Sequence, residues 1–122
     1  ILEKLNFGRA HHRVIYFVGK KNNLTIKELL SILKITKQSL SRVLNQLVKE
    51  KYIILSTGED KRTKKLSLSK KGQDLEKKLS DIQIAKIYNV IKKFEEIDIN
   101  GFKKVLFEMI DHDNQKKFDE IN

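Results

Sequence analysis

The sequence predicts a mainly α fold with one small β-hairpin. Three observations point there. A helix-start signal at Thr25 opens two short amphipathic helices set only a few residues apart. Two strand-like runs, "YIIL" and "LSL", flank a cationic stretch at residues 56–65. A long apolar pattern of helical type then fills most of the remaining chain. At 122 residues the chain has the length of one domain with a modest core.

The elements follow in order. Residues 9–19, "RAHHRVIYFVG", read as a helix ending near Gly19, and Val14, Ile15, Phe17 and Val18 imply heavy burial. "KKNN" is loop-like. Thr25 with Glu28 three residues on forms a capping box, and Leu24 with Leu29 forms a hydrophobic staple. Residues 26–33 then place Ile26, Leu29, Leu30 and Leu33 at helical spacing. After the break "KIT", Thr36 caps a second helix over 37–50. Two helices joined by so short a turn match helix-turn-helix spacing.

The second helix divides into two faces. Leu40, Val43, Leu44, Leu47 and Val48 make a buried stripe. Gln38, Ser41, Arg42 and Asn45 lie opposite, without the Glu–Lys pairs of an idle solvated helix. Such groups reach base edges and phosphates in a major groove; the bland alternative is an ordinary wet face.

Tyr52 to Leu55 and "KLSLS" at 65–69 read as strands, the second alternating with Leu66 and Leu68 on one face. Between them Gly58 is expected to turn the chain with positive φ, and the long tip should project. A helix is expected over 70–96, with apolar residues from Leu75 to Phe94 spread too widely for one stripe. "DING", residues 98–101, is expected to break the pattern before a last helix at 102–110. The tail 111–122 is polar and expected to fray.

Charge is unevenly placed. The chain holds 26 Lys and Arg against 16 Asp and Glu, a formal charge of +10. Residues 34–72 carry eleven basic and three acidic groups, whereas residues 73–122 carry nine and eleven. A positive field confined to one lobe suits a polyanion, against the plainer reading of a solubilising lysine surface. Cysteine is absent, which removes disulfides and thiolate metal sites and fits a cytoplasmic location. No apolar run approaches the ~18 residues of a membrane span, so no membrane partner is expected. The chain begins at Ile1 rather than Met and reads as part of a longer one. A Gly-rich phosphate loop, a nucleophile elbow and a metal-binding motif are all lacking, so no enzyme and no cofactor is expected. His11 and His12 point about 100° apart on a helix and do not chelate one metal.

Residues 24–72 resemble the MarR family of bacterial transcriptional regulators, which are winged helix-turn-helix dimers. The most specific match is Asp-x-Arg followed by Leu-[Thr/Ser]-x-x-Gly, met here by Asp60, Arg62, Leu68, Ser69 and Gly72. The family usually has Gly just after the recognition helix, where Lys51 stands here. A left-handed backbone there would cost on the order of 1 kcal/mol.

The resemblance implies a winged helix-turn-helix with flanking dimerisation helices: a DNA-binding lobe at 8–72, and a dimerisation lobe from 1–7 and 73–122. It implies sequence-specific binding of double-stranded DNA, with helix 37–50 in the major groove and wing 56–66 at the minor groove. Arg62 would enter the minor groove, where an Arg senses width and A·T content. Asp60 would pair with an arginine to hold the wing, alongside Gly58. Lys37, Arg42, Lys61, Lys64, Lys65 and Lys70 are candidates for phosphates, with Arg9 and Arg13 as outlying ones. Gln38, Ser39, Ser41 and Asn45 are candidates for bases, with Thr36 at the cap beside them. A homodimer on a near-palindromic operator would act as a repressor by occluding a promoter. Relatives bind small effectors in a cleft, for which His11, Tyr16 and Tyr88 are the candidates here. The alternative keeps the winged fold for protein contact or RNA binding without sequence-specific DNA binding.

Overall fold

The computed structural model describes residues 3–58, 60 and 62–110. The chain divides into two compact units, Ile1–Leu79 and Ser80–Asn122. In the first, a 3-10 turn (Glu3–Leu5) precedes helix α1 (Arg9–Lys20), strand β1 (Leu24–Thr25), helix α2 (Ile26–Leu33) and helix α3 (Lys37–Lys49). Strands β2 (Ile53–Thr57) and β3 (Lys64–Leu68) follow, then helix α4 (Lys70–Ile91), which runs on into the second unit. Helix α5 (Glu96–Glu108) lies in the second unit.

The core of the first unit is built from the predicted stripes. Val14, Ile15 and Val18 of α1, Leu29 and Leu33 of α2, and Leu40, Val43, Leu44 and Leu47 of α3 are buried together. Phe7, Tyr52, Ile53, Leu66, Leu75 and Leu79 close the same cluster. Fully burying one such side chain contributes about 1.5–3 kcal/mol. The helix-turn-helix is therefore held by hydrophobic burial from four helices and a sheet.

The capping box forms as expected. Thr25 Oγ1 accepts the Glu28 N–H at 3.1 Å, and Glu28 Oε1 accepts from the Thr25 hydroxyl at 3.0 Å and the Thr25 N–H at 3.3 Å. Leu24 and Leu29 are both fully buried. Leu24 also does something the sequence does not announce. It pairs with Leu66, so the sheet has three antiparallel strands in the order β1-β3-β2.

Four expectations change. The hairpin ladder reaches further than expected, pairing Thr57 with Lys64 and Ser56 with Lys65, which puts Lys64 on β3 rather than in the loop. Gly58 does not adopt positive φ. A Cβ there would lie 3.3 Å from Lys65 Cε, so the small residue makes room for the lysine stem instead. The long helix ends at Ile91, and the break falls at residues 92–95 rather than 98–101. There Glu95 caps α5, its N–H donating to Asp98 Oδ2 at 3.2 Å. This local cap outweighs the turn tendency of Asn100-Gly101, and Gly101 sits inside α5. Lys61, His112 and the expected frayed tail lie outside the described residues.

Candidate nucleic-acid interface

The turn that carries α3 is tied at several points. Lys34 is left-handed (φ 52°) and its N–H donates to the Leu30 carbonyl at 3.0 Å, closing α2. Arg13 reaches over from α1, and its Nη2 donates to the Leu33 carbonyl at 3.2 Å. Thr36 then starts α3. Its Oγ1 accepts the Ser39 N–H at 3.1 Å, and its hydroxyl donates to Ser39 Oγ at 2.9 Å. Ser39 keeps its own hydroxyl proton to donate.

The outer face of α3 is open. Lys37, Gln38, Ser41, Arg42 and Asn45 are exposed, while the stripe behind them is buried. No acidic residue occurs between Lys37 and Lys49. The face thus offers amides, hydroxyls and cations to an anionic partner. Gln46, beside this face, is half-buried and bonded to His11 of α1 at 2.7 Å.

The end of α3 is a Schellman motif. The Tyr52 N–H donates to the Leu47 carbonyl at 2.9 Å, and the Lys51 N–H to the Val48 carbonyl at 3.0 Å. Lys51 is left-handed, with φ 67°. That motif explains why glycine suits this place, and Lys51 adopts it without being glycine.

The chain then enters the wing, where β2 packs against α3. At the tip the Gly58 N–H donates to the Thr63 carbonyl at 3.1 Å. Asp60 Oδ1 accepts the Arg62 N–H at 3.0 Å, and the Asp60 carbonyl accepts the Thr63 N–H at 3.0 Å. Asp60 was expected to pair with an arginine side chain; among the described residues its carboxylate instead binds the backbone N–H of Arg62. The turn fixes the backbone and leaves the Arg62 side chain exposed. Lys64 is exposed and Lys65 half-buried.

A junction follows the wing. The Ser69 N–H donates to the Tyr52 carbonyl at 3.0 Å. The Ser69 hydroxyl lies 2.6 Å from the Lys51 carbonyl and 3.1 Å from that of Tyr52, and accepts the Gly72 N–H at 3.0 Å. Lys71 Nζ donates to the Glu50 carbonyl at 2.8 Å and sits 4.1 Å over the Tyr52 ring. Gly72 is required sterically, since a Cβ there would stand 2.1 Å from the Tyr52 carbonyl oxygen. The Leu-Ser-x-x-Gly spacing is thus a capping and close-packing device.

Beside the capping box, Lys21 is paired with Glu28. The hydrogen bond from its ammonium holds the Glu28 carboxyl below the usual range, helped by bonds from Thr25 and opposed by partial burial.

The three effector-cleft candidates differ in their surroundings. His11 bonds Gly8 and Gln46 and stacks on Phe7. Tyr16 packs edge-on against Phe17, with Lys20 over its ring at 5.5 Å. Tyr88 belongs to the second unit and is exposed. Arg9 is exposed at the start of α1. Among the described residues no group of three or more His, Cys, Asp or Glu stands ready for a metal ion.

A model of the MarR family matches residues 5–63. Over 112 residues the chain is 38% identical to the HTH-type transcriptional regulator PetP of Rhodobacter capsulatus, spanning 91% of this chain and 68% of that one. The chain belongs to the MarR family. Its MarR fold is also that of a SlyA-like transcription regulator from Listeria monocytogenes, with TM-score 0.78 and 24% identity over 88% of this chain and 73% of that one. Streptococcus pneumoniae FabT in complex with DNA matches with TM-score 0.77 and 24% identity, over 85% of this chain and 73% of FabT. The MarR family is one of transcriptional regulators rather than enzymes.

The sequence missed Gln46, Arg13 as a turn clamp and Lys71 as a helix clamp. The sequence offers Arg13 only as an outlying phosphate candidate. All three act across distances in the chain that no local pattern reveals.

Proposed function

We propose that this MarR-family chain, a DNA-binding transcriptional regulator, reads one half of a near-palindromic operator with each copy of a homodimer. The observation that carries the proposal is the open face of α3. Gln38, Ser41, Arg42 and Asn45 line an exposed stripe on a helix whose other side is locked into the core. In this reading α3 enters the major groove, where Gln38, Ser39, Ser41 and Asn45 meet base edges. Thr36 sets the start of that helix. Lys37, Arg42, Lys64, Lys65 and Lys70 neutralise phosphates, as does Lys61. Arg62 enters the minor groove beside the wing.

Dimerisation is supported by the second unit. Ile84, Tyr88, Phe94, Ile97, Phe102 and Met109 are all more than half exposed, Met109 at 76%. So much apolar surface along residues 84–109 asks for a cover, and a second copy supplies it. Two recognition helices then meet half-sites about one turn apart, ~34–36 Å. Occupancy of such a site blocks a promoter, which makes the protein a repressor acting in the cytoplasm.

Selection of bound fragments from a random duplex pool tests the reading. A near-palindromic consensus is expected, with affinity falling steeply with salt. Arg62→Ala should lose affinity most at A·T-rich flanks, and Gln38→Ala should relax base preference more than generic binding. Equal losses on every duplex for both variants would remove the base-reading assignment.

A further inference from the structure

We infer that His11 is a positioning residue for DNA reading, setting the rotation of α3 through Gln46. The inference rests on the DNA-binding role proposed for α3. His11 stands on α1, yet both of its ring nitrogens are committed. Nδ1 accepts the Gly8 N–H at 3.0 Å, and Nε2 lies 2.7 Å from Gln46 Oε1. The Gly8 amide can only donate, so Nδ1 is the unprotonated nitrogen. The ring proton therefore sits on Nε2 and is given to the Gln46 amide oxygen. Phe7 stacks on the imidazole at 4.7 Å with an interplanar angle of 10°. Phe7 is itself buried against Tyr52, edge to face at 5.4 Å. The ring thus has a fixed plane, a fixed tautomer and a fixed aim.

Gln46 is the right residue for such a hold. It follows Asn45 directly and lies one helical turn from Arg42, at the border between the open face and the buried stripe. Hydrophobic contacts alone let a helix roll slightly, because they are not directional. A hydrogen bond at the border is directional. Side-chain tips stand ~5 Å from the helix axis, so a roll of about 10° moves them by about 1 Å. That displacement is enough to break a paired amide–base contact. Arg13, also from α1, holds the Leu33 carbonyl at the turn before α3. Helix α1 consequently grips the helix-turn-helix at the turn and near the C-terminal end of the reading helix.

Two variants separate positioning from simple packing. His11→Phe keeps a flat ring on Phe7 and deletes both hydrogen bonds. His11→Gln places an amide N–H where Nε2–H stood. Each is compared with the wild type for binding to the duplex that the wild type selects from a random pool, to a scrambled duplex, and for thermal stability. A wild type that prefers no duplex overturns the DNA reading itself, before any variant is made. Given a preference, His11→Phe should lose about tenfold on the selected duplex, the scale of one lost hydrogen bond, and stay within about twofold on the scrambled one. His11→Gln should recover most of the loss. The proposal is overturned if His11→Phe weakens both duplexes equally, if it weakens neither, or if His11→Gln behaves like His11→Phe.

Discussion

Replacing Gly72 by Ala should destabilise the protein, although alanine is the better helix former. A Cβ at Gly72 would lie 2.1 Å from the Tyr52 carbonyl oxygen and 3.1 Å from its carbon. Such atoms rest at ~3.5–4.0 Å, so α4 and the end of α3 must part by about 1 Å or more. The Tyr52 carbonyl accepts from Ser69 N at 3.0 Å and lies 3.1 Å from Ser69 Oγ. A shift of that size takes both contacts beyond hydrogen-bonding range. Their loss costs about 1 kcal/mol each, and overpacking adds about 1–3 kcal/mol. Helix propensity returns about 1 kcal/mol. The net loss is about 2–4 kcal/mol, or a fall in Tm of roughly 10–30 °C for a unit of this size. Gly101→Ala is the internal control. Gly101 lies within α5 and has nothing within 4 Å of a would-be Cβ. It should gain about 0.5–1 kcal/mol. Urea and thermal unfolding followed by circular dichroism measure both. The reasoning fails if Gly72→Ala matches the wild type, or if the two variants shift in the same direction.

Lys51→Gly should raise stability by about 0.5–1 kcal/mol, because it relieves the left-handed backbone at the end of α3; unchanged or lower stability in urea counts against this. Asp60→Ala should loosen the wing tip by removing the acceptor for the Arg62 N–H. Amide exchange at Arg62 should quicken by about fivefold, the scale of one ~1 kcal/mol hydrogen bond, with little change in α3. Glu28 has a lowered folded pKa, so its contribution is present above the ordinary glutamate range and lost as pH falls through the folded value. The stability difference between wild type and Glu28→Gln should shrink on acidification; it should stay below ~1 kcal/mol, since both partners are partly exposed.

What the sequence revealed was local. Thr25 with Glu28 and Thr36 before Lys37 mark helix starts because a cap acts within three residues. The stripe from Leu40 to Leu47 is legible because burial repeats with the helical period. Strand β1 was not legible. Leu24 and Thr25 are too few to show alternation, and Leu66 lies far along the chain. The helix break was misplaced because Asn100-Gly101 is a strong turn signal in isolation. Glu95 with Asp98 is an unusual acidic cap, and it decided the matter. The polar face of α3 was read correctly as exposed, but Gln46 belonged to neither face of that reading. Its partner His11 lies thirty-five residues away.

The same distinction explains how this member of the MarR family tolerates Lys51. A left-handed lysine alone would weaken the exit from α3, and its effect would pass to the angle of the wing. The structure binds three successive carbonyls at that exit. Glu50 is held by Lys71, Lys51 by the Ser69 hydroxyl, and Tyr52 by the Ser69 N–H. These donors stand at the start of α4, and Gly72 lets the two backbones close to contact. The backbone at Lys51 is therefore set by partners on both sides rather than by its own preference. Strain of on the order of 1 kcal/mol is small against several such bonds. On this argument Lys51→Gly changes stability without changing which duplex is preferred, whereas disturbing Ser69 changes both.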